Sequence, residues 1–243
     1  MRVVTTCHKA AFDEYGYRCL EGLKNWPKGT QFIWYTEGYT LPEVAGVKVE
    51  QRDINSVLPM ATLKSELRHF IPPDWRWDVV KFAHKVFAAA DALADQQEGY
   101  QGIGVWLDAD CVTYRRIPAG YVEKLLNGKY FGCFRRKGMF TETGFWVVDC
   151  SHEHHLEIFA KWQGMYTDRV FEVLPQWHDC MTLDAVLKLN EKAKLITVEN
   201  LSGKYDRDMH PMAKAPLAKY IDHCKGPRKK AGVSPENKYR KAA

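Results

Sequence analysis

The apolar run Gly102–Leu107 (GIGVWL) ends abruptly in Asp108-Ala109-Asp110. A buried strand that stops at two carboxylates delivers them to the carboxyl edge of a sheet, where ligands of open α/β sheets bind. Strand alternation sends residues i and i+2 to one side, which predicts that both carboxylates reach one divalent cation. A hard cation held by two Asp residues suits the clamping of a diphosphate leaving group. The bland alternative is a solvated strand end. Against it stand the strand before the motif, the extended Thr113–Pro118 after it, and a helix signal from Pro118.

The flanking pattern is that of an α/β protein. Arg2–Cys7 reads as a buried strand and Asp13–Asn25 as an amphipathic helix. Gln31–Glu37 and Val47–Arg52 follow as strands, a β-α-β-β rhythm expected of a nucleotide-binding half. Ser56–Phe70 reads as a helix broken by Pro72-Pro73, and Asp74–Ala94 as a long helix with apolar positions at helical spacing. After the Asp pair come a short helix near Ala119–Leu126 and strands at Tyr130–Phe134 and Gly144–Val148. Ser151 is placed as the N-cap of a helix running to Trp162. Asp179–Leu189 reads as a helix and Leu195–Val198 as the last strand. The expected fold is a central, mostly parallel twisted sheet flanked by helices, one domain over residues 1–225 with a loosely structured basic tail over 226–243.

Charge is unevenly spread. The net +5 conceals a segment, Lys225–Ala243, in which Lys225, Arg228, Lys229, Lys230, Lys238, Arg240 and Lys241 face one acid, Glu236. Such a run is a solvated tail, a phosphate clamp or a nucleic-acid contact. The seven cysteines are odd in number and form no CxxC pair, which fits reduced thiols and opposes a disulfide framework or a structural zinc site. With no secretory signal and no membrane-length apolar run, a cytoplasmic protein without a transmembrane segment is expected.

The phrase LDADCVTYRRIP resembles the donor-metal motif of GT-A fold glycosyltransferases, and five further segments in order resemble their glycogenin-like and mannosyltransferase-like groups. The resemblance implies that Thr5 and Cys7, at the end of the first strand, contact the donor base and ribose. It places Lys81 and Lys85 beside the donor site, with a solvated lysine face as the alternative. The turn Thr141-Glu142-Thr143-Gly144 is similar to the family's polar-polar-Gly turn, which implies Glu142 and Thr143 at the donor sugar. Asp179 opens an apolar helix, where an N-cap role and a functional one are compatible, and Asp179 or Glu142 is the catalytic carboxylate expected to handle the acceptor proton or the sugar. Asp222–Lys229 resembles the C-terminal His-x-x-Gly-x-basic element, which implies His223 as a metal ligand and Lys225, Arg228 and Lys229 as a diphosphate grip. Ala109, between the metal carboxylates Asp108 and Asp110, is expected among the donor-binding residues. The Gly226-Pro227 step departs from the pattern and puts the aim of Arg228 in question.

The expected activity is therefore metal-dependent transfer of a sugar from a nucleotide-diphosphate donor, a UDP-sugar being favoured, to a hydroxyl acceptor. Mn²⁺ or Mg²⁺ is the implied cofactor, and His suits Mn²⁺ better. The acceptor is a saccharide or, as in phage-type DNA-modifying members, a hydroxymethylated pyrimidine extruded from DNA. A nucleotidyltransferase is disfavoured because Thr5–Ala11 contains no glycine for a phosphate loop. A non-catalytic nucleic-acid-binding module would leave Asp108, Asp110 and His223 idle. His152-Glu153-His154-His155 reads as a polar helix start rather than a second metal site. Stereochemistry leans to retention, and the oligomeric state stays open.

Overall fold

The computed structural model describes residues 1–202 and 210–240. The strands are β1 (Arg2–His8), β2 (Gln31–Glu37), β3 (Val49–Asp53), β4 (Ile103–Leu107), β5 (Cys111–Thr113), β6 (Phe131–Phe134), β7 (Glu142–Asp149), β8 (Val198–Asn200) and β9 (Ile221–His223). The helices are α1 (Lys9–Ala11), α2 (Tyr17–Gly22), α3 (Leu58–Glu66), α4 (Val79–Leu93), α5 (Tyr121–Lys124), α6 (His155–Thr167), α7 (Asp179–Lys192), α8 (Pro211–Lys214) and α9 (Arg228–Ala231).

Seven strands form one sheet in the order β3-β2-β1-β4-β7-β6-β8. All adjacent pairs are parallel except β4–β7 and β6–β7, so β7 alone runs against its neighbours. Both faces are covered, which explains why the central strands read as continuous apolar runs. Along β4, Val105 and Leu107 enter one core with Val3, Trp34 and Phe145, while Trp106 enters the other with Val4, Ile33 and Trp146. The first core is closed by the N-terminal helical stretch through Phe12, Cys19, Leu20 and Leu23. Val86, Phe87, Phe159, Trp162, Leu183 and Leu187, from α4, α6 and α7, close the second.

Several local expectations are corrected. The first helix begins at Lys9, capped by His8 Nδ1 accepting from Ala11 N at 3.3 Å, and passes through a π turn at Phe12–Gly16. The long helix is split: Trp75–Trp77 is a separate 3₁₀ turn, and Asp78 caps α4 by accepting from Lys81 N. Ser151 is not the cap of α6; its hydroxyl donates to Asp149 and His154 takes the cap position. The tail is not loose over residues 226–240. Ser234 and Asn237 are fully buried there, held by Asp222 and by the Ala218 carbonyl.

A second, two-stranded sheet joins β5 to β9, with Cys111 paired to His223. The α2 helix lies directly on β5, because a Cβ at Gly22 would stand 2.9 Å from Thr113 N. This small sheet brings the C-terminal segment to the end of β4.

Candidate functional site

Five pieces of chain converge at the carboxyl end of β4: the turn Asp108–Asp110, the start of β7, the first turn of α7, Lys85 of α4, and the segment from β9 into α9. Asp108 and Asp110 stand in the turn between β4 and β5, closed by Cys111 N donating to Asp108 O at 2.8 Å. Strand alternation therefore does not govern them, and the two carboxylates meet different partners.

Asp108 turns toward α4. Its Oδ1 accepts from Trp106 Nε1 at 2.6 Å and lies 2.8 Å from Lys85 Nζ. The same ammonium reaches Asp179 Oδ2 at 2.7 Å and donates to the Thr143 carbonyl and hydroxyl at 3.0 and 3.1 Å. Burial works against the charge on Lys85, but Asp108 and Asp179 outweigh it and raise its pKa above the ordinary lysine value. Asp179 is buried as well, yet Lys85 and the Thr143 hydroxyl, at 2.5 Å, hold its carboxyl below the usual range. Asp179 is not the N-cap. His178 fills that role, its Nδ1 accepting from Met181 N, and Asp179 is the first helical residue.

Asp110 turns toward the C-terminal segment. Its Oδ1 lies 3.1 Å from His223 Nε2 and its Oδ2 lies 3.1 Å from Lys229 Nζ. Burial opposes the charge on Asp110; His223 and Lys229 overcome it and draw the carboxyl well below its ordinary value. Burial likewise opposes protonation of His223, and Asp110 reverses that effect. Asp110 Oδ1 makes no aligned hydrogen bond beyond its 3.1 Å contact with His223 Nε2, and His223 Nδ1 is buried without a hydrogen-bond partner. Buried polar atoms are rarely left so, and an unmet pair mixing carboxylate and imidazole is a donor set for a divalent ion. Cys111 Sγ falls within the same cluster but donates to Gly144 O at 3.5 Å, and burial raises its pKa far above the ordinary thiol value. A hard cation thus fits the oxygen of Asp110 and the nitrogen of His223 and gains little from the thiol.

Glu142 lies beneath this pair. It is 2 % exposed and accepts from Lys225 Nζ at 2.7 Å, with Arg136 at 3.7 Å and His223 Nδ1 at 4.0 Å. Burial would raise its pKa, but Lys225, His223 and Arg136 bring it down to about 2. Gly144 gives His223 its place: a Cβ there would meet the imidazole at Cε1 and stand 2.7 Å from Nδ1.

The other expected residues divide. Lys229 joins the site, its ammonium also 4.5 Å from the Tyr15 ring centroid. Arg228 points elsewhere, bound to Glu236 through both Nε and Nη2. Gly226, at φ +63°, turns the chain just before α9, so Lys229 rather than Arg228 faces Asp110. Thr5 and Cys7 are buried in β1, with Cys7 packed on Gly16 and its thiol raised to about 12, by burial first and Asp110 second. Ala109 is buried in the core. Lys81 is exposed and lies beside Phe82 rather than with Lys85. His155 is buried between Tyr130 Oη and Leu93 O, and among the described residues no metal-ligand cluster involves His152, His154 or His155. Arg136, Tyr15 and Arg18, whose guanidinium donates to Lys229 O, were not singled out from sequence. No spacing links them to the motif; only the fold does.

No protein-family model and no curated protein matches the chain. Solved structures do. An active-site mutant of LgtC aligns at TM-score 0.55 and 13% identity, over 93% of this chain and 88% of that one. The apo form of mouse xyloside xylosyltransferase 1 aligns at TM-score 0.53 and 9% identity, over 82% of this chain and 84% of its own. The bifunctional glycosyltransferase WbbM aligns at TM-score 0.55 and 13% identity, over 93% of this chain but only 46% of its own. With the mostly parallel seven-stranded sheet and the helices on its two faces, these likenesses give the chain the GT-A glycosyltransferase fold.

Proposed function

We propose that the protein transfers a sugar from a nucleotide-diphosphate donor to a hydroxyl acceptor, with Mn²⁺ or Mg²⁺ at Asp110 and His223. One observation carries this reading: a buried carboxylate after β4 and a buried imidazole of β9 meet 3.1 Å apart, each with an unmet polar atom. The structural neighbours are glycosyltransferases by name, which supports the same reaction class. A UDP-sugar is the favoured donor.

A bound divalent ion would supply Lewis-acid stabilisation to the departing diphosphate. Lys229 and Lys225 stand beside the ligand pair and would share that negative charge. Asp108 is placed within reach of the metal only by the motif; its carboxylate is held by Lys85 and Trp106. Asp179, Thr143 and Lys85 form a buried, matched group whose role is to orient the donor sugar. A general base needs a pKa near the working pH, and Asp179 is drawn the other way, which supports a retaining reaction over an inverting one.

A saccharide acceptor is favoured over DNA. Four of the tail cations that would have attracted a polyanion are paired within the chain: Lys225 with Glu142, Arg228 with Glu236, Lys229 with Asp110 and Arg240 with Asp222. Thermal stabilisation by UDP-, GDP-, CMP- and TDP-sugars, each with and without Mn²⁺, tests the reading. A shift for one nucleotide that requires the metal supports it. No shift with any donor, and stabilisation by DNA alone, would replace it with a nucleic-acid-binding module.

A further inference from the structure

Among the described residues, Trp75 is a large aromatic left 62 % exposed, and it stands next to the candidate site. Its indole stacks at 5.9 Å and 24° on His178, the residue immediately before Asp179. Phe82 and Phe140 pack edge-on to the same imidazole at 5.9 and 5.2 Å. The platform is rigid. Trp75 opens a 3₁₀ turn capped by Asp74, and the turn is tied to the loop before α7 by Trp177 N donating to Arg76 O at 2.9 Å. Trp77 then meets Trp177 edge to face at 5.4 Å.

The folded core gains little from an indole presented in this way, since one face is covered by His178 and much of the rest is open to water. We infer that Trp75 is an acceptor-binding platform, on which the apolar face of a pyranose ring lies beside the first turn of α7. The inference rests on the sugar-transfer reading above and deepens it by assigning the acceptor class.

The charges around the indole select a neutral polyol over a polyanion. Asp74 precedes Trp75 directly, and Asp78 follows the turn. The one cation within the turn, Arg76, is already bound to Asp74 through Nε at 3.0 Å and Nη2 at 2.6 Å. The turn carries no net positive charge, since Arg76 offsets Asp74 and the exposed Lys81 beside Phe82 offsets Asp78, so a phosphodiester backbone gains little here. Sugar hydroxyls, which donate and accept, suit a rim made of carboxylates and a guanidinium.

The test uses the full chain labelled with 5-fluorotryptophan and read by ¹⁹F NMR, with the Trp75 resonance assigned by its loss in Trp75→Phe. The probes are methyl β-galactopyranoside, methyl β-glucopyranoside, methyl α-mannopyranoside, lactose and a single-stranded oligonucleotide. A saturable shift of the Trp75 resonance with a glycoside, and none with the oligonucleotide, is the expected result. With the responding glycoside as acceptor, Trp75→Ala should raise its KM about tenfold and leave the donor KM in place, the loss of one stacked ring face. No shift with any glycoside, or a shift with the oligonucleotide alone, overturns the inference. Metal-dependent stabilisation by donor is measured separately, so failure of the platform and failure of the transfer reading are told apart.

Discussion

Asp110 Oδ1 and His223 Nε2 lie 3.1 Å apart because β5 and β9 pair antiparallel, with Cys111 opposite His223 and Cys224 N donating to Asp110 O at 2.9 Å. The two side chains come from distant parts of the chain, and a three-residue strand sets their meeting. Asp110→Asn and His223→Ala should each weaken Mn²⁺ binding by more than the roughly 10–100-fold that follows loss of an outer partner. Calorimetric titration with MnCl₂ reads this directly. Unchanged affinity in both variants sinks the metal assignment.

Gly144 is required by the imidazole. A Cβ at this position collides with His223 at Cε1, and neither β7 nor the buried ring has room to yield. Gly144→Ala should therefore lose about 1–3 kcal/mol of stability, as overpacking does. It should lose Mn²⁺ affinity too, by displacing His223. The double variant Gly144→Ala/His223→Ala should recover the stability but not the affinity. Denaturant unfolding beside a metal titration separates the two effects. A Gly144→Ala protein with native stability would show that His223 sits elsewhere.

Lys85 is the shared counter-ion of Asp108 and Asp179, and it is 9 % exposed. Removing one partner of a buried ion group leaves the other charges uncompensated, at a cost of about 3–5 kcal/mol. Lys85→Met should unfold at correspondingly lower urea concentration. Adding Asp179→Asn should return part of the loss, because one orphaned carboxylate becomes neutral. Additive losses in the pair would mean that the two groups do not interact.

The sheet was legible in sequence because burial on both faces leaves a simple mark, the uninterrupted apolar strand. Gln31–Glu37 was read to the residue, and Ile103–Leu107 nearly so. What escaped was made by contacts too short or too distant to leave a pattern. The three-residue β9 has no period to detect, yet it positions His223. Residue preference favours Ser151 and Asp179 as the caps of α6 and α7, whereas His154 and His178 hold those positions, and His178 caps through Nδ1. The carboxylates of Asp108 and Asp110 were expected to share a side as strand residues do, but a turn separates them. Which tail cation meets Asp110 depends on the turn at Gly226, so the choice of Lys229 over Arg228 emerges only from three-dimensional structure.

Acid should weaken the fold before its carboxylates titrate. Burial first and Lys64 second, with His8 adding to them, push His84 down to about 4 against the opposing pull of Glu37 and Asp78. Burial also lowers His155, with His152 adding to it, while Leu93 O and Asp149 oppose the shift. Both values fall below the unfolded imidazole at about 6.5, so between the two the unfolded chain binds more protons and stability rises with pH. The stabilisation is complete above pH of about 6.5 and declines as pH falls toward the folded values, with His84 contributing on the order of 2–3 kcal/mol. Urea unfolding at pH 7.5 and 5 measures the slope, and His84→Gln should flatten it. A His84→Gln protein that keeps the parent's slope contradicts the neutral, buried state of that ring.

The cations of the C-terminal segment should contribute unequally to donor binding. Lys229 approaches Asp110 at 3.1 Å and Lys225 approaches Glu142 at 2.7 Å, so both ammonium groups stand where a diphosphate beside the metal would lie. Arg228 is spent on Glu236 and on the Lys225 carbonyl. A charge-assisted hydrogen bond contributes about 1.5–3 kcal/mol, so Lys229→Ala and Lys225→Ala should each weaken UDP binding about tenfold or more. Arg228→Ala should change it less than about twofold, because that guanidinium pairs with Glu236 rather than with a carboxylate of the site. Titration of UDP at saturating Mn²⁺ into the three variants ranks them. A loss for Arg228→Ala as large as for Lys229→Ala would mean that the Glu236 pair opens on binding and that Arg228 swings to the diphosphate.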